Sequence, residues 1–305
     1  MMQEITAANQ TRETTFGTYR SQYPFNSHFL PVGNEKMHYL DEGRGEPVLM
    51  LHGNPTWSFY YRRLILGLRS SNRCIAPDHI GCGFSSKPAH YSYRLYQHIE
   101  NLEKLLEHLD LRDIHLVVHD WGGAIGMGLA QRCPERFKSL TLLNTGAFLS
   151  SRIPFRIDIC RWPFFGPFAV RFLNGFARAA LCMAMGKKER MTPNIARGFL
   201  APYNSWANRI AIQRFVEDIP MKPADPSYAL LRQIGERLET LRSLPVLICW
   251  GMKDFCFNES FLERWESEFP HAKVHRFPEA GHYVLEDEHE EIIPLVKRFI
   301  RERVS

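Results

Sequence analysis

The 305-residue chain contains no uninterrupted apolar run of the roughly 18 residues that a membrane-spanning helix requires. Nor does it open like a secretory signal: residues 1–20 are polar, carry Glu4 and Glu13, and hold no apolar core of the right length. Its seven cysteines are odd in number and none stands in a CxxC pair, which fits the reduced thiols of a cytoplasmic protein better than a disulfide framework. There is no basic helix and no basic run interleaved with aromatics. A net charge of only +5, from lysines and arginines scattered along the chain, argues against a nucleic-acid partner. A phosphate loop, a dinucleotide fingerprint and a cluster with metal-ligand spacing are all missing, so the chemistry is expected to need no cofactor and no metal. What is left is a globular composition, 45% hydrophobic and 23% charged, long enough for one large α/β domain with an insertion or for two small domains.

Residues 36–40 and 47–51 read as short strands around the turn-forming Asp41-Glu42-Gly43-Arg44-Gly45, and His52-Gly53-Asn54-Pro55 breaks the second. A helix is expected over 59–68 and a strand over 73–76. A long amphipathic helix follows over about 93–109, with Leu95, Ile99, Leu102, Leu105, Leu106 and Leu109 on its apolar face. Strands at 114–118 and 139–143 flank a helix at 122–132. From about Phe148 the alternation stops, and residues 150–225 are rich in aromatics, proline and arginine, with a helical and loop-rich character. It resumes with a strand at 246–250, a helix around 259–269, a strand at 273–277 and a closing helix at 290–303. Such alternation predicts an α/β fold, a mostly parallel central sheet with helices on both faces. Because the sheet pattern brackets it, 150–225 is expected to be a helical cap inserted into a core of 1–149 and 226–305, rather than a second folding domain.

The most telling stretch is Asp120-Trp121-Gly122-Gly123, entered from an apolar strand and left into Ala124-Ile125-Gly126-Met127. Strand, tight turn with one reactive-type side chain, glycines, then helix is the layout of a nucleophile elbow. Neither serine nor cysteine occupies the turn. A carboxylate of ordinary pKa, about 4, is already an anion at neutral pH, and it suits displacement at a saturated carbon better than ester or amide hydrolysis. Reading the other strand ends in order gives Asn54, Asn144, Asp254 and His282. Nucleophile Asp120, acid Asp254 and histidine His282 follow the chain order of the α/β-hydrolase triad. Asp254 could instead cap a helix, but no acid follows the strand ending at Leu143, and Asp225 and Asp287 look like surface residues by context. His119 reads as structural. Asn54 and Trp121 form a second constellation, two neutral N–H donors placed where a leaving anion would develop, with their backbone N–H groups as an oxyanion hole. Plainer roles are a turn before Pro55 for Asn54 and packing for Trp121.

His52-Gly53-Asn54-Pro55-Thr56, Pro77-Asp78-His79-Ile80-Gly81-Cys82-Gly83-Phe84-Ser85, His119-Asp120-Trp121-Gly122-Gly123 and Gly281-His282 resemble the haloalkane dehalogenase family, over roughly residues 25–300. Asp254 combined with Asn54 is similar to the family's third subgroup. So is the cap stretch running from Ala201-Pro202-Tyr203 through Trp206 and Arg209 to Asp218-Ile219-Pro220. The resemblance implies the α/β-hydrolase fold and a triad of Asp120, His282 and Asp254, with halide or oxyanion held by Asn54 and Trp121. It also implies two substrate classes, since that subgroup includes β-lactone decarboxylases of bacterial olefin synthesis. Val118 stands where the general hydrolase signature has glycine, a departure the dehalogenases share.

The leading expectation is a dehalogenase-type hydrolase. Asp120 displaces halide from carbon, and water activated by His282 then hydrolyses the resulting ester. The alternative is decarboxylation of a cis-β-lactone (a 3,4-dialkyl-oxetan-2-one) to a cis-alkene and carbon dioxide, with the aromatic-rich cap lining an apolar pocket for either substrate. Epoxide hydrolysis ranks lower, because Tyr203 is the one tyrosine between Ser150 and Pro220 and the usual pair of cap hydroxyls would be incomplete. A catalytically silent receptor is disfavoured by the intact triad. The expected partner is a small apolar substrate, with no nucleic acid and no membrane span. Whether the chain forms a homo-oligomer or joins a biosynthetic complex is left open. Replacing His282 with alanine is expected to trap an alkyl ester on Asp120 when a bromoalkane is supplied; an intact-mass spectrum without the adduct refutes the scheme.

Overall fold

The computed structural model describes residues 21–304; the polar leader 1–20, with Glu4 and Glu13, lies outside the described residues. Eight strands form one sheet in the order β1 (Ser27–Val32), β2 (Glu35–Glu42), β4 (Arg73–Pro77), β3 (Pro47–Leu51), β5 (Ile114–Asp120), β6 (Phe137–Thr145), β7 (Val246–Gly251), β8 (Lys273–Phe277). β2 alone runs antiparallel to its neighbours; all pairings from β4 to β8 are parallel. Every residue of β5 and β7 is buried, as expected for central strands covered on both faces. Side chains alternate between two cores. Leu49 and Leu51 of β3 and Leu116 and Val118 of β5 join one, while Val48, Met50 and Val117 join the other.

Helices cover these faces. On one side lie α1 (Arg62–Leu68) and the closing helix, and on the other α2 (Leu95–His108) and α3 (Trp121–Arg132), the latter leaving directly from β5. In α2, Leu95, Ile99, Leu102, Leu105 and Leu106 are buried, the face that the periodicity predicts. Between β6 and β7 the chain forms no strand. Instead it makes α4 (Gly175–Met183), α5 (Pro193–Leu200), α6 (Ile210–Glu217) and α7 (Tyr228–Glu236), with short 3-10 turns and one π-turn at Pro167–Phe172. α8 (Glu259–Glu268) and α9 (His289–Val304) flank β8.

Three elements were not expected from the sequence: β1, α7 and the one-turn helix Val284–Asp287. β1 carries Pro31, which reads against a strand; it is tolerated because β1 is the sheet edge, where a missing N–H leaves no ladder bond broken. α7 occupies part of 226–245, where no element was assigned, and packs on α3.

A buried ion pair joins α1 to the one-turn helix Val284–Asp287 that precedes α9. Both terminal nitrogens of the Arg62 guanidinium donate to the Glu286 carboxylate, and each side chain is 1% exposed. Removing one partner strands a charge in a low-dielectric interior. Arg62→Met is therefore expected to destabilise the fold by about 3–5 kcal/mol. The double variant Arg62→Met/Glu286→Leu should recover most of that loss, as read by urea denaturation.

Candidate active site

Asp120 is both the last residue of β5 and the residue from which α3 starts, with φ 52° and ψ −127°. A side chain in this left-handed region is strained at a cost of about 1–3 kcal/mol, and the surroundings must enforce it. They do so by proximity. A Cβ on Gly53 would collide with the Asp120 carboxylate, and one on Gly122 would strike the carbonyl of Leu51. Only glycine at both positions lets the β3 and β5 strand ends come this close. The Thr145 hydroxyl donates to the Asp120 carbonyl at 2.5 Å, fixing the turn from the β6 side.

The carboxylate is held by N–H donors. Asn54 N–H donates to Asp120 Oδ1 at 2.7 Å, and the backbone N–H of Trp121 also reaches the group. His282 Nε2 lies 3.6 Å from Oδ2. On its other side His282 Nδ1–H donates to Asp254 Oδ2 at 2.8 Å. Asp254 is fixed in turn: its Oδ1 accepts N–H bonds from Cys256 and Phe257, and its Oδ2 accepts one from Asn144 Nδ2 at 3.0 Å. The structure thus brings Asp120, Asp254, His282, Asn54 and Trp121 to one place. Carboxylate, imidazole and second carboxylate in line are an arrangement that can form an ester on Asp120 and then move a proton at Nε2.

Burial pushes the Asp120 carboxyl above its ordinary range, against the His282 ring and the two N–H donors that favour the anion. The expectation of an ordinary carboxylate is corrected accordingly: desolvation, invisible in sequence, opposes ionisation and makes the anion more basic. For His282, burial alone would lower the pKa, but Asp254, by charge and hydrogen bond, and then Asp120 outweigh it, and the net shift is upward from 6.5.

Three residues hold the histidine from behind. His119 Nε2–H donates to the His282 carbonyl at 2.9 Å, and its ring stacks on Tyr60, so the structural reading of His119 holds. Asn144 was placed at a strand end but given no role; besides Asp254 it bonds both the N–H and the C=O of Gly251. Asp287, expected at the surface, is fully buried. Its carboxylate accepts the N–H of Gly281 at 2.8 Å and those of Gly186 and Lys187 at 2.8 and 2.9 Å, tying the segment between β6 and β7 to the histidine loop. Flanked by Glu286 and Glu288, it carries no sequence signal of burial. Asp225, by contrast, is partly exposed and caps a turn through Met221 and Lys222.

The Asn54 side chain spends one N–H on the Ile212 carbonyl at 3.1 Å, and its amide oxygen has no partner among the described residues. Trp121 leans on Phe215, with ring centroids 5.5 Å apart. Tyr203 is fully buried and donates to the Thr56 carbonyl, away from the cavity lining. The one tyrosine hydroxyl between Ser150 and Pro220 is therefore committed elsewhere.

Two largely apolar cavities, of about 200 and 130 Å³, meet at the nucleophile; Asp120, Trp121, Ile157, Ile219 and Cys256 line both. The larger also contains Asn54 and His282 and runs under the insert past Phe176, Ala180 and Met183. The smaller runs between the elbow and α7 past Phe148, Ile153, Pro220 and Phe261. Among the described residues no helix is long and apolar enough to cross a membrane.

Comparison with known proteins agrees with this geometry. The model of the alpha/beta hydrolase fold family matches residues 46–289. A cis-3-alkyl-4-alkyloxetan-2-one decarboxylase of Shewanella oneidensis is 48% identical over 285 residues, covering 92% of this chain and 89% of that protein. Haloalkane dehalogenase 2 of Mycobacterium tuberculosis is 30% identical over 279 residues, covering 91% and 96%. Among solved structures, the haloalkane dehalogenase DatA of Agrobacterium tumefaciens superposes with a TM-score of 0.82 at 26% identity, over 91% of this chain and 96% of that one. The chain is an enzyme.

Because the native His282 pKa is raised, the proton it carries favours the fold below about pH 6.5, and that contribution is lost as pH rises through the native value. In Asp254→Asn the main upward influence is gone, and the His282 pKa is expected to fall. An NMR titration that finds it unmoved would show that Asp254 does not set the charge of the ring.

Proposed function

The chain belongs to the haloalkane dehalogenase family of α/β hydrolases, and on that premise we propose that its substrate is a cis-β-lactone carrying two alkyl chains, which it converts to a cis-alkene and carbon dioxide. The order of the two readings is thereby reversed from the sequence expectation. The observation that carries it is the meeting of two apolar cavities at Asp120: a ring with alkyl branches on adjacent carbons has one arm for each. The greater identity to a β-lactone decarboxylase than to a dehalogenase supports the same order.

In this reading Asp120 attacks the ring carbon that bears the ring oxygen. The C–O bond breaks with inversion, leaving an ester on Asp120 and a free substrate carboxylate. Imidazolium at His282, held by Asp254, offsets the charge, and the donors of Asn54 and Trp121 receive the oxygens. The bond from the adjacent carbon to the carboxylate then breaks. Its electrons form the alkene, carbon dioxide departs, and the Asp120–carbon pair returns to the carboxylate. Inversion followed by anti elimination yields the cis-alkene from the cis ring. No water and no net proton are consumed. The division into a core of 1–149 and 226–305 and a cap of 150–225 belongs to the same reading, since the cap supplies Ile157, Phe176, Met183 and Ile219 to the arms.

Haloalkane hydrolysis is the second reading, supported by the neutral donors Asn54 and Trp121 at the same carboxylate. The two differ in what His282 must do. Given a bromoalkane and a synthetic cis-3,4-dialkyl-oxetan-2-one together, the enzyme is expected to form alkene much faster than bromide. Asp120→Ala should lose roughly 10³-fold or more of either activity. His282→Ala should stall on bromoalkane after a single turnover yet keep forming alkene from lactone. Fast bromide release with little alkene would reverse the assignment.

A further inference from the structure

The aromatic-rich insert was expected to face the pocket, and only part of it does. Phe165 and Phe176 line the cavity, whereas Phe164 is 91% exposed, Phe155 70%, Phe172 63%, Trp162 52% and Phe168 51%. Isolated exposed aromatics need no explanation, but five within one segment of eighteen residues form a surface that water disfavours. The longer stretch 152–178 carries five arginines, Arg152, Arg156, Arg161, Arg171 and Arg178, against a single acid, Asp158, which pairs with Arg161 at 3.2 Å; Arg161 also faces Asp225 at 3.6 Å.

We propose that this outer face of the insert docks on the headgroup layer of an anionic lipid bilayer. Rings that reach the acyl boundary combined with cations that meet lipid phosphates are the two signals a peripheral protein needs to stay on such a surface. Phe164 supplies an independent indication. Its backbone is left-handed, φ 65°, a conformation that glycine or asparagine adopts with far less strain, and it holds a bulky ring out of the protein. A protruding ring suits a soft acyl layer better than a flat protein interface. Continuity with the site gives the docking a purpose. Phe155, Trp162, Phe164 and Phe168 face outward, while their neighbours Ile157, Ile159, Phe165 and Ala169 line the larger cavity. One thin wall separates lipid from Asp120, a short path for an apolar molecule dissolved in the bilayer. The docking does not depend on which reaction follows.

Full-length protein is floated with vesicles of phosphatidylglycerol and phosphatidylcholine or of phosphatidylcholine alone, without substrate. Expected are flotation with the anionic vesicles, weakening as salt is added, and little with the neutral ones. Phe164→Asn/Phe172→Ser, at positions outside the cavity lining, should cut the bound fraction at least tenfold with Tm unchanged; asparagine keeps the left-handed turn accessible. Arg178→Glu should weaken binding in the same direction. The proposal is overturned if the wild type stays with the soluble fraction, or if the double variant floats equally well. It is also overturned if sedimentation shows a dimer that the double variant dissolves while no vesicle binds, because the face is then an interface between copies. A protein that floats with anionic vesicles but forms no alkene when given the cis-3,4-dialkyl-oxetan-2-one in a separate assay would overturn the proposed reaction and leave the docking intact.

Discussion

Close approach of three strand ends at Asp120 is the constraint from which the rest of the site follows. β3, β5 and β6 converge there, and glycine at 53 and 122 removes the side chains that would keep them apart. Once the turn is closed, a carboxylate stands in a left-handed conformation over the sheet with backbone N–H groups aimed at it. Position and charge are set by the same contact: the N–H donors that fix the group also offset part of what burial costs its anion.

Behind His282 lies a second set of fixed groups. His119 bonds its carbonyl, Asp254 its Nδ1, Asn144 holds Asp254, and Asp287 grips the preceding Gly281 N–H. Each is buried, so each bond lies in a medium where a misplaced partner is costly. Asp287 also binds Gly186 and Lys187, and Asp218 accepts the Leu95 N–H and pairs with Arg94, so the segment between β6 and β7 is pinned to the rest of the chain at its middle and near its C-terminal end. The apolar space between insert and core is thereby kept in register with the nucleophile.

The segment between β6 and β7 has two faces. Its inner face lines two apolar cavities that meet at Asp120; its outer face presents aromatic rings among arginines. A shared family and a shared triad do not separate a dehalogenase from a decarboxylase, since both begin with attack of a carboxylate on carbon. The difference lies in the shape of the apolar space and in whether water is used afterwards, and both are properties of the insert as much as of the elbow.

Much of the molecule was legible in the chain itself. Strand, glycine turn and helix around Asp120, and strand ends bearing Asn54, Asp254 and His282, follow from local patterns of two or three turns, because parallel strands must deliver their carboxyl ends to one edge. Long apolar runs such as β5 and the face of α2 were equally plain. What depended on distant packing was not: the burial of Asp287 amid acidic neighbours, the role of Asn144, the edge strand with Pro31, the raised pKa of Asp120, and the division of the insert's aromatics into inward and outward rings. Sequence alone determined the strand, turn and helix that carry Asp120 and the alternation that builds a mostly parallel sheet, both encoded within short segments. Tertiary structure decided how many arms the cavity has and which rings meet solvent, because those depend on which surfaces of 150–225 the core leaves uncovered.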